Sequence, residues 1–340
     1  MRLLSESRVP LVSVMVPALD EQKDIGGCLA AIAQQQYDLT RLEVVLVDAL
    51  STDETVGEAK NAARDLGLSL VLCENPARCT SAGLNVGLAV ARGDYVVRVD
   101  ARSRIGPRYV TACVDTLRNR PDVGVVGGAQ VTIPRGDRLK ARAIARASNN
   151  RWLMGLARYR RGARSGATDT VWMGAFRTAE LRAIGGWDAN TGINEDYELN
   201  ERFRRDGKLV WFDASLQSGY LPRSDLRRIA RQFVGYGRGK ADGWARGRRP
   251  AARHVALVVA PPALVAGGAV AVVTFGPIPV VVAGVVAVLA IDLTGGAGVA
   301  APTERIAALA VNALVGASWW WGVVSGWAGR SAHRRSRRSR

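Results

Sequence analysis

Histidine is almost missing from this chain: 340 residues contain 2, His254 and His333, both in the C-terminal part. A Ser-His-Asp or Cys-His system needs a histidine beside its nucleophile, and an imidazole-based zinc site needs two or three. Neither can be assembled from residues 1–253. A general base there must be a carboxylate, and a divalent metal must sit mostly on oxygen. Cysteine is scarce too. Cys28, Cys73, Cys79 and Cys113 form no C-x-x-C pair and match no zinc or redox spacing, so they read as small buried hydrophobes. The start, Met1–Val9, is polar and runs straight into a strand-like segment. The expectation is no secretory leader, a reducing compartment and a cytoplasmic N-terminal domain.

Basic charge is abundant but unevenly spread. Lys+Arg number 47 against 30 Asp+Glu, a net charge of +17, and only 5 of the basic residues are lysine. Residues 1–222 have the composition of a soluble α/β domain. Residues 223–253 then hold ten basic side chains, including Arg227, Arg228 and Arg231, against Asp225 and Asp242. From His254 to Thr303 the one side chain expected to be ionised is Asp292. Val255–Phe275 and Ile306–Ala328 are long enough to cross a bilayer, whereas Ile278–Leu293 is short for a span. Trp319, Trp320, Trp321 and Trp327 suit an interfacial belt, and the tail Arg330–Arg340 carries six arginines. Basicity that flanks apolar spans fits the positive-inside rule and anionic cytoplasmic lipid. A nucleic-acid footprint would instead decorate the folded domain. The expected organisation is therefore a domain over 1–222, a basic amphipathic segment over 223–253, membrane segments within 254–329 and a basic tail over 330–340. Basic runs at both ends of the apolar region want an even number of crossings, and the hydropathy leaves that number open.

Within the first domain, strand and helix signals alternate. Val12–Val16, Glu43–Asp48, Ser69–Cys73 and Tyr95–Asp100 read as strands, most of them continuous apolar runs. Asp20–Gln35 and Thr80–Ala91 read as helices, and Ser51 with Glu54 fits a capping box opening another. Such alternation argues for a largely parallel sheet, with ligands at the carboxyl ends of its strands. Glu21, Asp48 and Asp100 each lie at or just after such an end. One acid there is most simply a turn or cap residue; three at successive strand ends point to a site.

The segments VSVMVPALDE (12–21), VLVDALSTDET (45–55) and NPARCTSAGLNVGLAVARGDYVVRVD (75–100) resemble the successive signatures of family 2 glycosyltransferases. VWMGAFRTAELRAIGGWD (171–188) and NEDYELNERFRRDG (194–207) continue the series in order. The arginine-rich stretch 231–240 and the apolar C-terminus resemble bacterial exopolysaccharide transferases of the succinoglycan type. The resemblance implies a GT-A nucleotide-diphospho-sugar transferase fold, a Rossmann-like mixed sheet, followed by transmembrane helices. Pro17, Ala18, Glu21 and Asp48 match residues lining the nucleotide, with Asp48 accepting from the base, and Arg78 matches a contact beside it. Asp100 matches the first acid of the D-x-D motif, and Asp196 of the Glu195–Asp196 pair matches the catalytic base. Trp172, Met173 and Gly174 match an acceptor-side loop. Gln232 and Tyr236 fall where processive members carry Q-x-x-R-W, but the R-W is absent, which favours single-sugar addition.

Two departures bear on the chemistry. Ala49 stands where the family has a second acid after Asp48, and Arg102 replaces the second acid of D-x-D. Arginine offers no metal ligand. Either Asp100 holds Mg²⁺ or Mn²⁺ together with the diphosphate, or Arg102 itself neutralises the departing phosphate. The implied function is inverting hexosyl transfer from a nucleotide-sugar, a UDP-sugar by preference, to a polyprenyl-linked saccharide. The site would face the cytoplasm at the cell (inner) membrane, in exopolysaccharide or envelope glycan synthesis. The alternatives are a polyprenyl-monophosphate acceptor, or a catalytically silent membrane scaffold supported by Ala49 and Arg102.

Overall fold

The apolar runs of the N-terminal half form the middle of a nine-stranded sheet in the computed structural model, which describes residues 9–150, 159, 164–191, 193–247, 249–250, 252–295 and 300–338. The chain divides into two compact units, Met1–Val131 with Ala157–Leu221, and Thr132–Leu156 with Pro222–Arg340.

The first unit opens with β1 (Val12–Ala18), α1 (Ile25–Ala33), a 3-10 turn (Leu39–Arg41), β2 (Leu42–Asp48), α2 (Thr55–Asp65), β3 (Ser69–Glu74) and α3 (Thr80–Val90). It continues through β4 (Tyr95–Arg98), β5 (Ser103–Ile105), α4 (Tyr109–Asn119) and β6 (Val123–Thr132). After α5 (Leu139–Asn149), which belongs to the second unit, come β7 (Gly166–Ala167), β8 (Ala175–Arg177), α6 (Thr178–Ala183), α7 (Glu195–Arg205) and β9 (Leu209–Tyr220). The strand order is β3-β2-β1-β4-β8-β6-β9-β5, with β7 on β9. Strands β1 to β4 pair in parallel. From β4 onward the pairings with β8 and β9 are antiparallel. The parallel sheet read from alternation thus holds for the first half, and the complete sheet is mixed.

Side-chain alternation explains why helices cover both faces. Val12, Val14, Val16, Leu42, Val44 and Leu46 pack with Ile25, Leu29 and Ile32 of α1 and Ala59 of α2. The intervening Met15, Val45 and Val47 pack with Leu84 and Leu88 of α3. A strand buried on both faces loses its polar alternation and becomes a continuous apolar run. Each such Val or Leu contributes about 1.5–3 kcal/mol when fully buried. Cys28 and Cys113 are buried in this unit, and Cys73 and Cys79 are half-buried; all four thiols are free.

The capping box expected at Ser51 does not form. Helix α2 begins at Thr55, and the Ser51 hydroxyl donates to Asp48 Oδ1 at 2.5 Å. Asp53 Oδ1 instead accepts from Thr55 N at 3.0 Å. The Asp48 carboxylate is buried and must find donors locally, whereas an exposed helix start is served by Asp53 or by water.

The second unit consists of α5, α8 (Leu226–Ala245), α9 (Ala252–Phe275), α10 (Pro277–Thr294) and α11 (Pro302–Arg338). Ala143, Ile144 and Ala147 of α5 pack with Ile229 of α8 and with Ala308, Val311 and Val315 of α11. Helices α8 and α11 approach through glycine. A Cβ on Gly237 would lie 2.1 Å from the Trp319 carbonyl oxygen, and one on Gly322 would lie 2.2 Å from that of Val234. Two helical stretches, His254–Thr274 and Pro302–Ala328, are long and apolar enough to cross a membrane, by length and composition alone. The short apolar segment 278–293 is helical as part of α10.

Candidate active site

The register of the parallel strands lines up their carboxyl ends. Ala18 of β1 lies opposite Asp48 of β2, which lies opposite Glu74 of β3. The loops leaving these ends are bonded to one another. Ala18 O accepts from Ala49 N at 2.9 Å, Asp20 Oδ1 from Thr52 N at 2.8 Å, and Glu21 N donates to Thr55 Oγ1 at 2.7 Å. Asp48 receives Ser51 through both carboxylate oxygens, and its carbonyl accepts from Asn75 N at 2.7 Å. The exposed Arg78 bridges back to Leu50 O at 2.9 Å. The residues matched to the nucleotide, Pro17, Ala18, Glu21, Asp48 and Arg78, therefore belong to one connected rim. Each Asp48 oxygen accepts one hydrogen bond from Ser51 and keeps a lone pair for a further donor.

This rim is conformationally strained. Every non-glycine residue with positive φ among the described residues lies in a loop after β1, β2 or β3, or just before β8 or α7: Asp20, Leu50, Arg78, Met173 and Asn194. For Leu, Arg and Met the left-handed region is uncommon, and such outliers persist where surrounding contacts over-determine them. At Met173 the contacts are visible: its sulfur accepts from Asp100 N at 3.2 Å and its carbonyl from Tyr109 Oη at 3.1 Å.

Charge collects around Arg98. Its Nε donates to Asp100 Oδ1 at 2.8 Å, and its Nη1 donates to Glu195 Oε1 at 2.9 Å and Asp196 Oδ1 at 2.7 Å. The structure thus brings together Asp100, Glu195 and Asp196, which are 97 and 98 residues from Arg98 in the case of the α7 pair. One guanidinium among three carboxylates leaves a formal excess of negative charge. Two like charges at 4 Å repel by about 4 kcal/mol at an effective dielectric of 20. Burial pushes the Asp196 carboxyl up to about 7; Arg98 opposes the shift, and Glu195 and Asp100 reinforce it. Burial also works against the Arg98 charge, but Asp100, Asp196 and Glu195 together raise its pKa well above the ordinary arginine value. A carboxyl poised near neutrality at the mouth of a strand-end site has the character of a general base.

Arg102 is turned to different partners. Its Nε pairs with Glu21 Oε1 at 3.1 Å, and its guanidinium carbon lies 5.4 Å from the centre of the Tyr220 ring. Trp172 meets Tyr220 edge-on at 5.7 Å and packs on the core. Gly174 is required by packing: a Cβ would lie 2.7 Å from the Phe176 ring and 2.9 Å from Val125. Its carbonyl accepts from Arg98 N at 3.2 Å. Gln232 and Tyr236 lie in the second unit on α8, where Gln232 Nε2 donates to Tyr236 Oη at 2.6 Å.

A metal would find few ligands in the protein itself. Among the described residues no group of three His, Cys, Asp or Glu side chains could hold one. Asp100 has Oδ1 engaged by Arg98, while Oδ2 accepts no hydrogen bond among the described residues. The residues fit an ion that arrives with its own oxygens, and they do not fit an all-protein cage.

Arg98 and Tyr220 escaped the reading of the sequence. Arg98 carried a signal, a charge inside the apolar strand YVVRVD, since a charge there is buried and must be paired. Tyr220 carried none, because its role depends on contacts distant in sequence; Met173 was read with the acceptor-side loop, and its sulfur contact to Asp100 N was not.

Comparison with known proteins identifies the family. Residues 13–179 match the model of Glycosyl transferase family 2. The chain is 32% identical over 255 residues to the succinoglycan biosynthesis protein ExoA of Rhizobium meliloti (strain 1021), covering 73% of this chain and 75% of that protein. It is 23% identical over 237 residues to a dolichyl N-acetyl-alpha-D-glucosaminyl phosphate 3-beta-D-2,3-diacetamido-2,3-dideoxy-beta-D-glucuronosyltransferase of Methanococcus voltae, covering 67% of this chain and 72% of that one. Among solved structures, the mannosyltransferase PcManGT of Pyrobaculum calidifontis, in complex with GDP-Man and Mn²⁺, superposes with a TM-score of 0.64 at 24% identity. That match covers 93% of this chain and 88% of the mannosyltransferase, and it shows a shared fold. With the strand-end rim, the ordered signatures and these relatives together, the chain belongs to glycosyltransferase family 2, as an enzyme of mixed α/β GT-A-like fold that uses a nucleotide-sugar donor.

Proposed function

We propose that this enzyme transfers one hexose, with inversion, from a UDP-sugar to a polyprenyl-linked saccharide at the cytoplasmic face of the cell membrane. The observation that carries the reading is the placement of the Glu195–Asp196 pair beside Asp100 around Arg98. Asp196 takes the proton of the acceptor hydroxyl as that oxygen attacks the anomeric carbon. The new bond joins acceptor oxygen to that carbon, the bond to the diphosphate oxygen breaks, and the proton passes from Asp196 to solvent. A single displacement inverts the anomeric centre, and no second nucleophile is needed. Asp48 and the rim residues Pro17, Ala18, Glu21 and Arg78 bind the nucleotide. Trp172 and Gly174 line the acceptor side.

Asp100, through Oδ2, is the residue that would hold Mg²⁺ or Mn²⁺ with the donor's diphosphate, and such an ion supplies charge neutralisation to the departing phosphates. Arg102 is committed to Glu21 and Tyr220, which favours this arrangement over direct phosphate contact.

The acceptor class draws on chemistry and on relatives. Succinoglycan synthesis is named for one relative, and a dolichyl-linked sugar for another. A lipid-linked saccharide offers a sugar hydroxyl whose proton needs a base, whereas a polyprenyl monophosphate would need little help from Asp196. Basic residues over 223–253 would hold the acceptor's diphosphate head near the bilayer. The test is a donor-depletion screen of UDP-sugars on membranes containing the full chain, with mass detection of the lipid product. A hexose added to a polyprenyl-diphosphate sugar supports the reading; addition to polyprenyl phosphate alone contradicts the acceptor.

A further inference from the structure

One buried side chain carries three carboxylates of this site. Arg98 ends β4 opposite Met15 of β1, and its side chain is 6% exposed. Nε serves Asp100 on the strand end, and Nη1 serves Glu195 and Asp196 on the first turn of α7. These donors are different nitrogens of one planar, always charged fork, so the guanidinium fixes the spacing between strand end and helix start. Asn194, which flanks the helix, is left-handed, makes no side-chain capping bond, and has its buried Nδ2 without a partner among the described residues. Acids in the first turn suit the helix dipole but are not aimed by it. Aim comes from Arg98.

We propose that Arg98 is a positioning residue, which holds the Asp196 carboxylate in register with the donor-side Asp100 so that proton acceptor and donor sugar meet in one geometry. The inference rests on the assignment of Asp196 as the base. A buried ion cluster that merely stabilises the fold would affect the amount of folded enzyme and leave turnover per folded molecule alone. A positioning role acts on the chemical step, where a misplacement of about 1 Å can cost 10²-fold. Lysine keeps the charge but has one nitrogen, and cannot serve strand and helix from two separate points.

The test is a double-mutant cycle on the full chain in lipid vesicles, using the UDP-hexose that the wild type consumes. Turnover, donor KM, UDP binding by titration and the thermal unfolding midpoint are measured for Arg98→Lys, Asp196→Asn and the pair. Arg98→Lys is expected to lower kcat by about tenfold while donor KM stays within about threefold and the midpoint stays near wild type. In the Asp196→Asn background the same change is expected to cost less than about twofold, because residues acting as a unit are not additive. Arg98→Met should lose more, about 10²-fold; where it does not fold, Arg98→Lys carries the test. Wild-type kcat in Arg98→Lys overturns the proposal, and so does a full tenfold loss that persists beside an impaired Asp196→Asn. Near wild-type transfer by Asp196→Asn alone removes the base assignment and the positioning role with it, an outcome distinct from the multiplicative one.

Discussion

Asp196 sits under opposing influences: burial holds its proton, and Arg98 draws it off. The balance, about 7, has consequences for rate and for stability. The base form is the deprotonated one, so kcat should rise with pH on a limb centred near 7, and Asp196→Asn should lack that limb. In the unfolded chain the carboxyl has its ordinary value of 3.8. A folded value raised above this stabilises the native state fully below pH 3.8, and the contribution is lost as pH rises through about 7. Asp196→Asn should therefore unfold at a higher temperature than wild type at pH 8, with the gap narrowing toward pH 4. A lower midpoint at pH 8 would contradict the burial argument. Arg102 gives a second expectation at this scale. Since it is paired with Glu21, EDTA should silence the enzyme, Mn²⁺ or Mg²⁺ should restore it, and Arg102→Ala should keep substantial activity. Full activity in chelator would contradict this. Asp48, Asp100 and Asp196 were legible in the sequence because strand ends and motif order mark them. Arg98 was not read: its place in an apolar run marks a buried, paired charge, but its three partners are set by the fold and not by the local pattern.

At the scale of elements, the buried strands β1 and β2 and helix α7 follow directly from pattern. Continuous apolar runs mark strands covered on both faces, and the spacing of Leu199 and Phe203 marks the buried side of α7. The acids of α7 favour its N-terminus whether or not they act in catalysis, so the bland reading and the functional one coexist. The antiparallel strands β6, β8 and β9 were not legible. Their pairings join residues far apart, and β7 and β8 are too short to carry a period. The excursion through α5 carries no change of composition either. The crossing of α8 and α11 makes a sharper demand on sequence than hydropathy reveals. Leucine at Gly237 would press on the Trp319 backbone, which cannot yield as a flexible side chain can. Gly237→Leu should destabilise the protein by about 1–3 kcal/mol or more, seen as a lowered unfolding midpoint in detergent. Gly267→Ala in α9, where no atom lies within 4 Å of the added Cβ, is the matched control and should be near neutral. Equal effects from the two would contradict the packing argument.

For the whole molecule, the +17 charge and the apolar C-terminal helices lead to one expectation about partition. A chain held only by basic side chains leaves the membrane in high salt, because exposed charges are screened. A chain anchored by spans stays until detergent is added. The full chain should resist salt and carbonate and be released by detergent, and release by salt alone would contradict the anchor. The full chain is the right subject for this test. A cut after Pro222 would strip α5 of Ile229, Ala308, Val311 and Val315, and would expose an apolar face that adheres to membranes for its own reasons.

The central claim is that Asp196 removes the acceptor's proton in a single displacement, and the most direct measurement is sugar transfer by Asp196→Asn beside wild type, with UDP binding measured on the same samples. Losing a general base costs about 10²–10⁴-fold. The expected result is a loss of at least about 10²-fold in turnover with UDP affinity unchanged within about threefold. Transfer near the wild-type rate, in protein that binds UDP normally, would make Asp196 a helix-terminal acid and nothing more.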